Sequence, residues 1–450
     1  MIERKLDQYL VRFYKEQSKA LLVTGARQTG KTFSIRHFGA TCFESFVEIN
    51  FLEEPDAVGI FAGARNSSDI LFRLSTYTSV PLKEGKTLVF FDEVQECPEI
   101  VTAVKFLVED GRYRYILSGS LLGVTLGDVR SVPVGYMAVK ELYPLDLEEF
   151  VRAIGIGDGV MDALGRCFAS KTAVDDYVHK KMMELFRLYL VVGGMPAAVQ
   201  RYIETNNMQA VAEEQQAILN LYKMDIGKYD KDRKLYIEEI FNLIPPELNS
   251  KNKRFILKSL NENFKFSRYE NSFLWLRDAG VALPVYNVEE PKQPLLLARS
   301  RNLFKLFQND IGLLAAQYAG GIQLRIISGE HSVNCGSVYE NAIAQELKAH
   351  GFNLYYYNSK RYGEIDFVIE RGGDVVPIEV KSGKDYNRHK ALSNILALPD
   401  YDIREAYVIT TDNLSADGRI TYIPAYMSMF IMPEKSPLDH YTVDLAGLKS

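Results

Sequence analysis

Two groups of residues in this 450-residue chain combine side-chain types and spacings that do chemistry. The first begins with Gly25-Ala26-Arg27-Gln28-Thr29-Gly30-Lys31-Thr32, the GxxxxGKT spacing of a phosphate-binding loop. Its glycines let the backbone wrap a polyphosphate, so the N–H groups from Gln28 to Thr32 are expected to point inward, aided by the positive end of the next helix. Lys31 is expected to reach the β and γ phosphates, and the Thr32 hydroxyl to ligate Mg²⁺. Asp92 and Glu93 follow four apolar residues, Leu88-Val89-Phe90-Phe91. Asp92 is expected to hold Mg²⁺ directly or through water, and Glu93 to polarise the water that attacks the γ-phosphate. Ser118 closes Tyr115-Ile116-Leu117-Ser118 and is either a γ-phosphate sensor or a solvated strand end.

The second group is Asp366, Glu379 and Lys381. Ile365 to Glu370 and Val375 to Lys381 flank Arg371-Gly372-Gly373-Asp374, which reads as a hairpin with a two-residue Gly-Gly turn. Pairing outward from that turn sets Phe367 against Ile378 and Asp366 against Glu379. Alternation then puts Ile365, Phe367, Ile369, Val376, Ile378 and Val380 on one apolar face, with Asp366, Glu379 and Lys381 on the other. Asp366 and Glu379 should form the closer, non-hydrogen-bonded kind of pair, with Cα atoms about 4.5 Å apart. Two opposed carboxylates are unfavourable unless a cation neutralises them. Mg²⁺ or Mn²⁺ would do so, with Lys381 orienting a water or stabilising developing charge.

These residues need elements to hold them. Ala20 to Thr24 supplies an apolar strand into the phosphate loop, and Phe33 to Phe38 a helix out of it, with Gly39 read as its cap. Thr87 to Asp92 has the continuous apolar run of a strand buried in a parallel sheet, and ligands gather at the carboxyl ends of such strands. Residues 1 to 18 read as an amphipathic helix carrying Leu6, Leu10 and Phe13 on one side. From Val174 to Leu243 the pattern is helical, broken by Gly193-Gly194-Met195-Pro196, which is read as an architectural bend. Lys251 to Leu260 and Tyr269 to Ala279 read as two helices, and Val281 to Val288 with Leu303 to Gln308 as the strands of a wing. Residues 246 to 320 hold eleven Lys/Arg against seven Asp/Glu, in a chain of net charge -5. Lys251, Lys253, Arg254 and Lys258 fit either a phosphate-contacting face or a solvated one.

GARQTGKT, LVFFDEVQ, ILSGS and Glu141 to Phe150 (ELYPLDLEEF) together resemble prokaryotic AAA-superfamily ATPases that carry the domain of unknown function 4143. The resemblance implies ATP as the nucleotide and a parallel sheet of about five strands with helices on both faces. Pro133-Val134-Gly135-Tyr136-Met137 departs from the Gly-Arg pair of many relatives, which leaves Arg130 and Arg112 as substitutes for an arginine finger. The Asp366, Glu379 and Lys381 arrangement resembles the PD-(D/E)xK nuclease superfamily, in which a glutamate on the preceding helix often completes the metal site. Glu340 stands there, although Ser337-x-x-Glu340 is also a capping box.

The expectation is therefore an α/β chain in four parts: an AAA-type P-loop ATPase domain (1–155), a helical region (156–245), a winged-helix-like domain (246–325) and a PD-(D/E)xK-like domain (326–450). Its function is read as ATP hydrolysis coupled to a Mg²⁺- or Mn²⁺-dependent nuclease-like domain on DNA. The alternative is an ATP-dependent switch with a non-cleaving platform and a protein partner. Homo-oligomerisation is compatible with either. The net charge argues against an overall basic nucleic-acid binder. Four scattered cysteines form no CxxC pair, which argues against a zinc site or a disulfide framework. No run reaches the ~18 apolar residues of a membrane span, and the charged N-terminus is unlike a signal peptide, so a cytoplasmic protein is expected.

Overall fold

The computed structural model describes residues 2–64, 66–119, 135–229, 234–250, 255, 266–318, 321–330, 335–383, 386–434 and 443. The first helix, α1 (Lys5–Glu16), buries Leu6, Leu10 and Phe13, as their spacing requires. There follow β1 (Ala20–Thr24), α2 (Lys31–Cys42), β2 (Ser45–Asn50), α3 (Ser67–Tyr77), β3 (Thr87–Asp92), α4 (Glu99–Asp110), β4 (Arg114–Ser118) and β5 (Met137–Glu141). The strands form one five-stranded sheet in the order β2-β3-β4-β1-β5, with every pair parallel. Alternation in β1 sorts its two faces. Leu21 and Val23 pack with α1 and α2, and Ala20 and Leu22 with the side covered by α3 and α4. Gly39 does not cap α2 but lies inside it, where a Cβ would run into the Phe46 ring. Close helix–sheet approach selects the glycine there.

The chain continues through α5 (Leu147–Ala153), α6 (Asp158–Ser170), α7 (Asp176–Val192), α8 (Pro196–Thr205), α9 (Met208–Tyr229), α10 (Lys234–Leu248) and α11 (Phe266–Asp278). The α7–α8 bend of 120° falls on Gly193-Gly194-Met195. Gly193 has φ 73°, and a Cβ on Gly194 would overlap the Leu145 backbone. The Gly194 carbonyl accepts from Leu145 N–H (2.7 Å), and its own N–H donates to Asp310 Oδ2 (2.6 Å). The bend thus ties the helical region to Leu145, just beyond the five-stranded sheet, and to Asp310. No single helix among the described residues is long and apolar enough to cross a membrane.

The last part comprises β6 (Ala282–Val288), β7 (Arg299–Gln308), α12 (Ile311–Ala316), α13 (Ile322–Ile327), α14 (Gly336–Ala349), β8 (Tyr355–Ser359), β9 (Gly363–Arg371), β10 (Asp374–Val380), α15 (Lys390–Leu396), β11 (Ala406–Thr410), β12 (Ser415–Asp417) and β13 (Ile420–Pro424). All eight strands form one mixed sheet, β12-β13-β11-β10-β9-β8-β6-β7. This corrects the winged-helix expectation. β6 and β7 do pair as a hairpin, but β6 also pairs in parallel with β8, so the supposed wing is the outer edge of the C-terminal sheet. The expected helix from Lys251 to Leu260 with its basic cluster lies outside the described residues. Strand periodicity identifies a hairpin but carries no information about which third strand it joins.

Candidate functional site

The phosphate loop leaves the carboxyl end of β1 and enters α2, with Gln28 (φ 67°) and Gly30 (φ 92°) in left-handed conformations. Lys31 is buried, and its ammonium donates to the carbonyls of Gly25 (2.9 Å) and Ala26 (2.8 Å) in its own loop. Burial pulls its pKa down to about 8, against an upward pull from Glu93 and Asp92. The Thr29 hydroxyl donates to the Ala26 carbonyl (2.9 Å), which holds the loop's curve. Asp92 ends β3, which is separated from β1 by β4 in the sheet. Thr32 donates to its Oδ2 (3.0 Å) and Ser118, at the end of β4, to its Oδ1. Glu93 sits at φ 54°, a conformation that costs a non-glycine residue free energy, and its carboxylate accepts from the Gln95 amide. The parallel order brings Thr32, Asp92 and Ser118 into one cluster, with Glu93 beside it.

A cavity of about 710 Å³ opens over this cluster, lined on one side by Gln28, Gly30, Lys31, Thr32 and Glu93. Its other wall includes Pro196, Ala197 and Gln200 of α8. The Gly-Gly-Met-Pro bend, read as architectural, also delivers a helix start to this cavity. Arg4 was not singled out in the sequence. Buried at the start of α1, it donates to the Thr29 carbonyl (2.8 Å) and the Tyr143 carbonyl (2.8 Å), and pairs with Glu149 (3.0 Å). Nothing in its sequence context marks it, because its partners lie 25 to 145 residues away. Arg27 pairs with Asp225 of α9 (2.7 Å), and Tyr222 of α9 donates to the Arg27 carbonyl (3.2 Å). Arg112 pairs with Asp110 before the amino end of β4, on the edge of the sheet away from the loop, so it does not serve this cavity. Arg130 lies outside the described residues.

In the C-terminal sheet, the Gly372-Gly373 turn and its pairing hold, with Asp374 opposite Arg371 and Ile378 opposite Phe367. The ladder stops there, one residue short of the expected Asp366 and Glu379 pair, and Val380 N–H donates instead to Asp366 Oδ2 (2.9 Å). The expected single apolar face also needs correction. The β8–β9 register shifts between Tyr355 and Tyr357, so Ile365 packs with Val368, Val375 and α15 while Phe367 and Ile369 join the opposite core. A bulge changes side-chain parity, and composition does not reveal it.

Glu340 of α14, Asp366 and Glu379 are all buried, and Lys381 pairs with Glu379 (2.7 Å). Burial and the neighbouring Asp366 charge push the Glu379 carboxyl up to about 8, against the pull of Lys381. A further residue, which sequence reading passed over, enters this cluster. Lys305 of β7 is fully buried, with its ammonium 2.8 Å from Glu364, 3.7 Å from Glu340 and 3.7 Å from Asp366. The signal was a lone lysine inside Leu303-Phe304-Lys305-Leu306-Phe307. Of the expected metal set of Glu340, Asp366 and Glu379, the first two face the Lys305 ammonium. Among the described residues no three His, Cys, Asp or Glu side chains group to hold a metal ion, and the Lys305 ammonium lies 3.7 Å from both Glu340 and Asp366.

Residues 17–151 match the family model described as an AAA domain, 183–323 a domain of unknown function (DUF8612), and 335–427 the domain of unknown function DUF4143. The chain therefore carries an AAA domain, then a DUF8612 region, then a DUF4143 region. No curated protein matches. Among solved structures, the Walker-type ATPase of Pyrococcus abyssi is 14% identical over 70% of this chain and 96% of that one, with a TM-score of 0.40. Cdc6p from Pyrobaculum aerophilum is 15% identical over 73% and 96%, with a TM-score of 0.25. The RuvB Holliday junction branch migration motor of Thermotoga maritima is 12% identical over 65% and 91%, with a TM-score of 0.27. At these scores the likenesses carry no functional weight.

Proposed function

We propose that this chain is an ATP-hydrolysing switch whose C-terminal sheet is a binding platform for a macromolecular partner. The observation that carries the reading is the shared cavity, in which the phosphate loop, Glu93 and the start of α8 face one another. A nucleotide bound there touches both the catalytic residues and the helical region. Lys31 exchanges the Gly25 and Ala26 carbonyls for phosphate oxygens, which recovers the interaction that burial denies it. The residues fit Mg²⁺, since Asp92 already gathers the Thr32 and Ser118 hydroxyls; Thr32 and Asp92 would hold the ion, which supplies neutralising charge on the phosphates. Glu93 takes the proton of the attacking water. Loss of the γ-phosphate changes what Arg27 and Lys31 face, and Arg27 passes the change to α9 through Asp225 and Tyr222.

A second reading, Mg²⁺- or Mn²⁺-dependent cleavage of DNA by Asp366, Glu379 and Lys381, is favoured by their convergence with Glu340. Lys305 weighs against it. Phosphate release from ATP by wild type and Lys31→Ala tests the first reading, with turnover expected only in the wild type. Equal release from both proteins would remove it. Linear DNA incubated with the wild type and Mn²⁺ should stay intact, and cutting that Asp366→Asn abolishes would establish the second.

A further inference from the structure

Lys305 lies at the centre of the C-terminal cluster, and four elements meet it there. Its neighbour across the ladder is Val285 of β6. The Tyr356 ring of β8 lies 5.2 Å from its ammonium, Glu364 and Asp366 of β9 face it, and Glu340 reaches it from α14. We infer that the Lys305 ammonium is the resident cation of this cluster and takes the place of a divalent ion, so that the C-terminal domain recognises its partner without bound metal. The inference rests on the platform reading above.

Position and charge both support it. Mg²⁺ or Mn²⁺ needs carboxylate oxygens at about 2.0–2.2 Å in near-octahedral order. An ammonium 2.8 to 3.7 Å from three of these carboxylates fills that space. It has no exposed surface, so exchange with a hydrated ion requires opening the sheet edge. Burial lowers its pKa, but Glu340, Asp366 and Glu364 outweigh burial and push it above the ordinary lysine range. The fourth carboxyl is handled differently. Glu379 Oε2 is buried without a hydrogen-bond partner among the described residues, which a neutral carboxyl tolerates better than a carboxylate, and its other oxygen is held by Lys381.

The test is a Mn²⁺ titration of the full chain without nucleotide, read by melting temperature and by electron paramagnetic resonance of free Mn²⁺. Wild type is expected to gain no melting increment from this cluster, so Asp366→Asn should titrate as wild type does. Lys305→Met should melt lower in EDTA, recover on adding MnCl₂, and bind about one Mn²⁺ more than wild type, because a ligand of the folded state stabilises it. Mn²⁺ binding by wild type that disappears in Asp366→Asn overturns the inference, and so does a folded Lys305→Met that gains none. If Lys305→Met does not fold, the comparison of wild type with Asp366→Asn decides alone. ATP hydrolysis measured in parallel separates failure of the switch reading, which abolishes turnover, from failure here, which leaves it intact.

Discussion

Two buried lysines in this molecule meet opposite surroundings. Among the described residues Lys31 donates to carbonyl oxygens of its own loop, and its pKa is drawn down to about 8. Lys305 stands among three carboxylates and is pushed up. Burial penalises both charges, so the difference comes from what pays the desolvation. At Lys305 the protein supplies the counter-charge, and the cluster is closed. At Lys31 the nearby Glu93 and Asp92 offset only part of the burial, and an anionic ligand supplies the rest of the counter-charge.

The sharpest break of this comparison is Lys31→Met. ATP hydrolysis should fall at least ~100-fold, the scale for losing a positioned charge on the transferring group. Nucleotide affinity should fall with it, and labelled ATP bound as tightly as by wild type would refute the assignment. Next in size, Lys305→Met should lose about 3–5 kcal/mol of stability in EDTA, because removing one partner leaves buried charges uncompensated. Denaturant melts check this, and a loss no larger than for an exposed lysine would mean that the carboxylates do not depend on it.

Glu93→Gln sharpens the comparison on the catalytic side. It should bind ATP as wild type does and hydrolyse it ~100-fold more slowly, as expected for a lost general base. Near-normal turnover would leave Glu93 as a strand end only.

The smallest effect concerns Lys31 and pH. A lysine whose folded pKa is lowered binds fewer protons folded than unfolded, so its cost is fully present below about pH 8 and disappears as pH rises toward 10.5. Without nucleotide, Lys31→Met should therefore be about 1–3 kcal/mol more stable than wild type at neutral pH, after the lost hydrogen bonds are counted. The gain should shrink toward pH 10.5. Melts across that range read it, and a gain that grows with pH would reverse the sign and the explanation.

What the sequence determined by itself was local. The spacing of Gly25 to Thr32, the apolar run before Asp92 and the Gly372-Gly373 turn each act within a few residues, where steric and hydrogen-bonding rules leave few choices. The phosphate loop, the strand ending in Asp92 and the β9–β10 turn were legible for that reason, and so was the buried side of α1. The tertiary structure decided what depends on distant partners. It set β6 beside β8 rather than in a separate wing, shifted the β8–β9 register so that Ile365 changed faces, and brought Arg4 to the Thr29 carbonyl. Above all it carried Lys305 into the carboxylates of α14 and β9. A charge in an apolar strand can be seen in the sequence, but its counter-charge is chosen by strand order and helix packing, which the alternation of side chains does not encode.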